Sequence, residues 1–185
     1  MAFSYGQTER ALGRLHAVDV RSWGSFKARI RKLQQQAIVP ATPGKGQRIS
    51  YRPADIYCWA FCLQLAEFGI DAKIARRFVE EVWGSDTLHK VSEKIVIDAG
   101  EDQFFLFDPN MLSGWYVSDG QQHGFLRCKV VSEHGFTVGQ LKQYEYGSGS
   151  FINLTDLRRR VDRELAKAAL EKPGKPGRKP KSAAA

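Results

Sequence analysis

Eight cations stand between residues 20 and 54 with no carboxylate among them: Arg21, Lys27, Arg29, Arg31, Lys32, Lys45, Arg48 and Arg52. Guanidinium and ammonium groups gathered in this way neutralise phosphate oxygens, release condensed counterions and donate hydrogen bonds to the acceptor edges of bases. Residues 172–185 hold a second block of five, including Arg178, again without an acid. Between the blocks, residues 79–127 carry nine acids against three bases, so the net charge of +8 is segregated. Segregation of this kind is the footprint of a polyanionic partner.

Nucleophilic and metal chemistry find no comparable support. Cys58 and Cys62 are one helical turn apart in an apolar run, with no histidine or third cysteine nearby, so both are expected in the core. His16, His89, His123 and His134 are scattered and are expected in solvated loops. Pro43-Gly-Lys-Gly lacks the spacing of a phosphate loop. Ser132-Glu133-His134 are contiguous on a turn, which gives no triad geometry. Glu101 and Asp102 fall in a hairpin turn, where solubility explains them. Phe104, Phe105, Phe107, Trp115 and Tyr116 could line a small-molecule pocket, but in alternating strand-like runs they read better as core. The expectation is a protein that is not an enzyme and takes no cofactor or metal.

The elements that would position the first basic block read mostly as helix. Ala11, Leu12 and Leu15 give a short helix over Gln7–Leu15, followed by a turn through Ala17–Val20. Asp19 or Ser22 can cap the next helix, from about Trp23 to Gln36. Its Trp23, Phe26, Ile30 and Leu33 recur every three or four residues and form one apolar stripe. Lys27, Ala28, Arg31 and Lys32 lie off that stripe, Gly24 and Ser25 lie opposite it near the start, and Arg29 marks its edge. A helix that buries one face and offers small residues, then cations, on the other suits a major groove. Residues 39–51, with Gly44 and Gly46 around Lys45 and then Ile49 and Tyr51 alternating, read as a short hairpin with a basic tip. Pro53 and Asp55 open an apolar helix to Phe68, stopped by Gly69, and Asp71–Trp83 forms another with Ile74, Phe78 and Val82 on one side.

Taken in order, these pieces resemble the DNA-binding domain of the MerR family. The resemblance rests on Tyr5-Gly6, Phe26-Lys27 in the second helix, the Pro-Gly-Lys-Gly turn with Arg48 and Tyr51, Asp55 at the start of the third helix, and Leu65-Ala-Glu-Phe-Gly69 at its end. It covers residues 1–84 and implies a winged helix-turn-helix. The second helix would then enter the major groove through Ser25, Lys27, Ala28, Arg31 and Lys32, and the wing would grip flanking backbone through Lys45 and Arg48. The family continues into a dimerising coiled coil. Here glycine and strand signals follow instead, so neither that dimer geometry nor inducer chemistry is implied.

Residues 85–171 read as a small antiparallel β-rich domain with a terminal helix, making the chain α+β. Strand-like runs are Lys94–Ile97, Phe104–Phe107, Trp115–Val117, Phe125–Val131 and Phe136–Val138. Asn153 caps a helix reaching about Leu170, whose Leu154, Leu157, Val161 and Leu165 suit either a lid on the sheet or a dimer seam. Residues 172–185 form a low-complexity basic tail. Its Pro176-Gly-Arg-Lys-Pro180 resembles the Gly-Arg-Pro core of minor-groove AT-hooks, while a solvated tail explains it equally.

No apolar run approaches the ~20 residues of a membrane span, no secretory signal is evident, and three cysteines suggest reduced thiols, so a cytoplasmic, nucleoid-associated location is expected. The function expected is a sequence-specific regulator of transcription acting on double-stranded DNA as a homodimer joined through residues 92–170. The alternative is an adaptor with only generic nucleic-acid affinity, whose C-terminal domain binds a protein partner.

Overall fold

The computed structural model describes residues 2–36, 50–83, 102–107, 128–132 and 150–171. Strand β1 (Phe3–Ser4) leads straight into α1 (Tyr5–Leu15). Ser4 caps that helix reciprocally: its hydroxyl accepts from the Gln7 N–H, and the Gln7 side-chain carbonyl accepts from the Ser4 N–H at 3.0 Å. Two orphan donors of the first turn are thereby satisfied. Ala17 then takes φ 47°, in the left-handed region, and the Val18 N–H returns to the Gly13 carbonyl at 2.9 Å. A 3-10 turn (Val20–Ser22) with Asp19 as its cap delivers the chain into α2 (Trp23–Gln35). The cap therefore serves the 3-10 turn, since Ser22 makes no side-chain capping bond to α2.

Strand β2 (Ser50–Tyr51) pairs antiparallel with β1, Phe3 opposite Tyr51, so the segment returning from α2 is tied to the chain's start. The hairpin expected over residues 39–49 lies outside the described residues. Helix α3 (Pro53–Glu67) is buried on nearly every side. Burial all round explains its even apolar sequence, as expected of a helix at the centre of others. Pro53 sits where its missing N–H costs nothing. The buried Asp55 carboxylate accepts from the Arg52 N–H at 2.8 Å and lies 3.5 Å from its guanidinium. Asp55→Ala removes this start signal and is expected to cost about 1–2 kcal/mol in urea unfolding, with Asp55→Asn costing less. Gly69, at φ +80°, ends the helix, and the Ile70 N–H bonds back to the Leu65 carbonyl. Helix α4 (Ala72–Trp83) follows, and on it Ile74 and Phe78 are buried.

In the second half, β3 (Gln103–Phe107) lies between β4 (Cys128–Ser132) and β5 (Ser150–Asn153), antiparallel to both. Phe105 and Phe107 point from one face of β3 into the helices. Phe105 meets Phe61 of α3 edge-on at 5.0 Å and Phe78 of α4 at 5.4 Å, while Phe107 meets Phe68 at 5.3 Å. The strand runs expected at 94–97, 115–117 and 136–138 lie outside the described residues.

Helix α5 (Leu154–Leu170) begins at Asn153, whose side chain accepts from the Asp156 N–H. Its stripe of Leu154, Leu157, Val161 and Leu165 is buried, and the helix packs on α1 and α3 more than on its sheet. The stripe is thus buried inside the chain, in one core with Phe105, Phe107 and Ile152 of the sheet as well as with α1 and α3. Arg14 of α1 reaches Glu164 at 2.7 Å and Glu171 at 2.6 Å, and Arg10 reaches Glu171 at 2.7 Å. Arg160 donates to the Leu15 carbonyl at 3.0 Å, and the Tyr57 hydroxyl bonds Asp162. The fold is thus mixed α and β, with one apolar core running from Phe3 to Ala168 across the division expected at residue 84.

Candidate nucleic-acid interface

Helix α2 divides its surface as its sequence requires. Phe26, Ile30 and Leu33 are buried, and Trp23 packs partly against the same core. Gly24, Ser25, Ala28, Arg31, Lys32 and Gln35 are exposed on the opposite side, and the helix carries no acid. The small residues lie toward the N-terminal end, leaving room for another backbone to approach. Arg31, one helical turn beyond Lys27 and Ala28, has no ion-pair partner among the described residues.

Two of the expected contact residues are less available than their spacing suggests. Lys27 is drawn to the α1 side, its ammonium 3.1 Å from Glu9, and its side chain is 39% exposed. Lys32 is drawn to the other side, 2.7 Å from Asp71, with 57% of its side chain exposed. The Lys32 ammonium and the Lys73 N–H hold the Asp71 carboxyl below its ordinary pKa. These two pairs flank the crest of α2 formed by Ala28, Arg31 and Gln35. Lys45, Arg48 and Arg178 lie outside the described residues.

The angle of α2 is set from below. Glu9, nearly buried on α1, accepts from the Trp23 indole N–H at 3.1 Å as well as holding Lys27. Trp23 lies across Gly13 of α1, where a Cβ would come within 2.3 Å of the ring. Gln34, at the far end of α2, donates to the Tyr51 hydroxyl at 3.0 Å. Tyr51 itself is buried against Trp59, with ring centroids 4.9 Å apart, and burial pushes its pKa up to about 12. Thus α1, α2 and the β2 strand are tied at three points before any ligand arrives. Glu9 and Gly13 were not singled out by sequence. The visible signal was only Gly13 near the end of the α1 pattern, with a tryptophan ten residues on.

His16 departs from its expected solvated position. Its side chain is 6% exposed, with Nδ1 at 2.6 Å from Glu67 and Nε2 buried without a partner among the described residues. Burial pushes the imidazole below its ordinary 6.5, assisted by the Arg160 charge and opposed by Glu67. The unfolded chain therefore binds the extra proton at a higher pH than the folded one. Stability held by neutral His16 is full above 6.5 and is lost as pH falls from there toward the folded value. Urea unfolding is expected to show that decline, at no more than about 1.4 kcal/mol per pH unit for one proton, and His16→Gln to flatten it. An unchanged slope in the variant would assign the decline to other groups.

Cys58 and Cys62 are both buried and unbridged, and burial beside Cys58 raises the Cys62 thiol well above its ordinary value. Among the described residues, no three His, Cys, Asp or Glu side chains gather as metal ligands. No helix among them is long and apolar enough to cross a membrane. No protein-family model matches the chain, and no curated protein matches it.

Proposed function

We propose that this protein is a sequence-specific, duplex-DNA-binding regulator of transcription that lays α2 in the major groove. The observation that carries this reading is the division of α2: one face fixed in the core, the other exposed, acid-free and cationic, with Gly24, Ser25 and Ala28 allowing close approach. Ser25 and Ala28 suit base edges and thymine methyl groups, and Arg31 suits phosphate. Lys27 and Lys32 join once a phosphate replaces their carboxylate partners. The domain that results is a winged helix-turn-helix of the MerR kind, with Lys45 and Arg48 on the flanking backbone. Arg178 and the basic tail add affinity by raising local concentration.

A single recognition helix buries little surface, so specific binding calls for two copies on repeated half-sites. The protein is read as a homodimer on cytoplasmic, nucleoid DNA, with its α5 stripe excluded from the dimer contact because the core already holds it. Selection from a random duplex pool with the full chain tests both points. The expected result is a reproducible motif with two half-sites and a complex of two protomers by light scattering. A pool that stays random after repeated rounds overturns the regulator, and a 1:1 complex on a short asymmetric site overturns the dimer.

A further inference from the structure

Between α2 and the turn joining α3 to α4 lies a cleft of about 270 Å³, beside the face assigned to DNA and sharing Lys32 with it. Its walls are Leu33 of α2, Leu63 and Ala66 of α3, and Ile70 and Ala72 after the turn. At the mouth stand Arg29 and Lys32, with Asp71 opposite. Gly69 turns the chain at φ +80°, and the space where its Cβ would stand is open. We propose that this cleft binds a small organic carboxylate with a compact apolar body, an acid the size of benzoate or a branched short-chain acid.

The lining selects that class step by step. Apolar walls on three elements favour a hydrocarbon or aromatic body and would strand the oxygens of a phosphate. The volume, just below the usual range for ligand sites, suits a body smaller than a nucleotide. Both cations at the mouth come from α2, and Arg29 has no ion-pair partner among the described residues, so an anionic head is favoured over a neutral or cationic one. A planar carboxylate matches the guanidinium fork of Arg29 with two parallel hydrogen bonds. The same head competes with Asp71 for Lys32, which now spans the mouth at 2.7 Å.

Lys32 also belongs to the proposed DNA face, so an occupant of the cleft would report to it. That coupling rests on the regulator reading, whereas binding in the cleft does not. A ligand carboxylate that takes Lys32 withdraws one cation from phosphate and lowers DNA affinity by a few-fold.

Amide chemical shifts of the full chain, titrated with benzoate, 4-methylpentanoate and the neutral isostere benzamide at millimolar concentration, test the site. Saturable shifts at Leu33, Leu63 and Gly69–Ala72 are expected with at least one of the two acids, about tenfold tighter than with benzamide. Arg29→Gln, at an exposed position, is expected to weaken the acid about tenfold, and Ala66→Phe to abolish it by filling the cleft. Arg163→Gln on the remote α5 leaves binding unchanged. Absence of saturable shifts with both acids, equal affinity for benzamide, or an Arg29→Gln variant that binds as tightly as the parent overturns the proposal. Because this arm contains no DNA, it stands or falls apart from the regulator reading. A second titration, of the acid into the complex with a selected duplex, reads the coupling: benzoate binding without any loss of DNA affinity overturns the link through Lys32.

Discussion

Gly13→Ala is expected to lower the unfolding free energy by about 1–3 kcal/mol, although alanine is the better helix former. The added methyl would stand 2.3 Å from two atoms of the Trp23 ring, far inside van der Waals contact. Trp23 has little freedom to withdraw. Its indole N–H is held by Glu9 at 3.1 Å, and its ring packs on Phe26 with centroids 5.6 Å apart. Relief must come from a shift of α2 against α1, which also moves the face offered to DNA. Helix propensity alone favours alanine over glycine by about 1 kcal/mol, so a stabilised variant would show that the two helices do not cross as described. Combining Gly13→Ala with Trp23→Leu removes the ring it meets, and the pair is expected to cost less than the sum of the two single changes.

The helices were legible because their signals are local. The stripe of Phe26, Ile30 and Leu33, the cap at Asn153 and the stop at Gly69 each depend on neighbours in sequence, and all three appear in place. Strand β3 was equally plain in Phe104–Phe107. What the sequence concealed is long-range. The α5 stripe has the same spacing whether it covers a sheet, a second copy or α1, and only the fold chooses α1 and α3. The ion pairs Lys27–Glu9 and Lys32–Asp71 likewise join different elements, so spacing along α2 made every cation look equally free. His16 follows Leu15 at the end of a helix, a place that reads as exposed until α3 brings Glu67 beside it.

Arg31→Ala is expected to weaken binding to any duplex by about tenfold at low salt and to reduce the slope of log affinity against log salt by about 0.9. Arg31 stands exposed on the crest of α2 and, among the described residues, has no carboxylate to part from. Lys32→Ala is expected to cost less, because that ammonium must first part from Asp71. Asp71→Asn keeps an acceptor for the Lys73 N–H, frees Lys32 and is expected to tighten binding by a few-fold with a steeper salt slope. Ser25→Ala acts differently: it relaxes sequence preference by ~1–3 kcal/mol per lost base contact while leaving affinity for random DNA unchanged.

The most direct measurement is the affinity of the full chain for its selected duplex and for random duplex of equal length, taken across a salt series with the parent, Arg31→Ala and Ser25→Ala. The expected result is a preference of the parent for the selected duplex of about 10³ or more, carried intact by Arg31→Ala as both affinities fall together, and narrowed by Ser25→Ala alone. Equal affinity for the two duplexes, or the same losses on both from both variants, would contradict direct readout by α2.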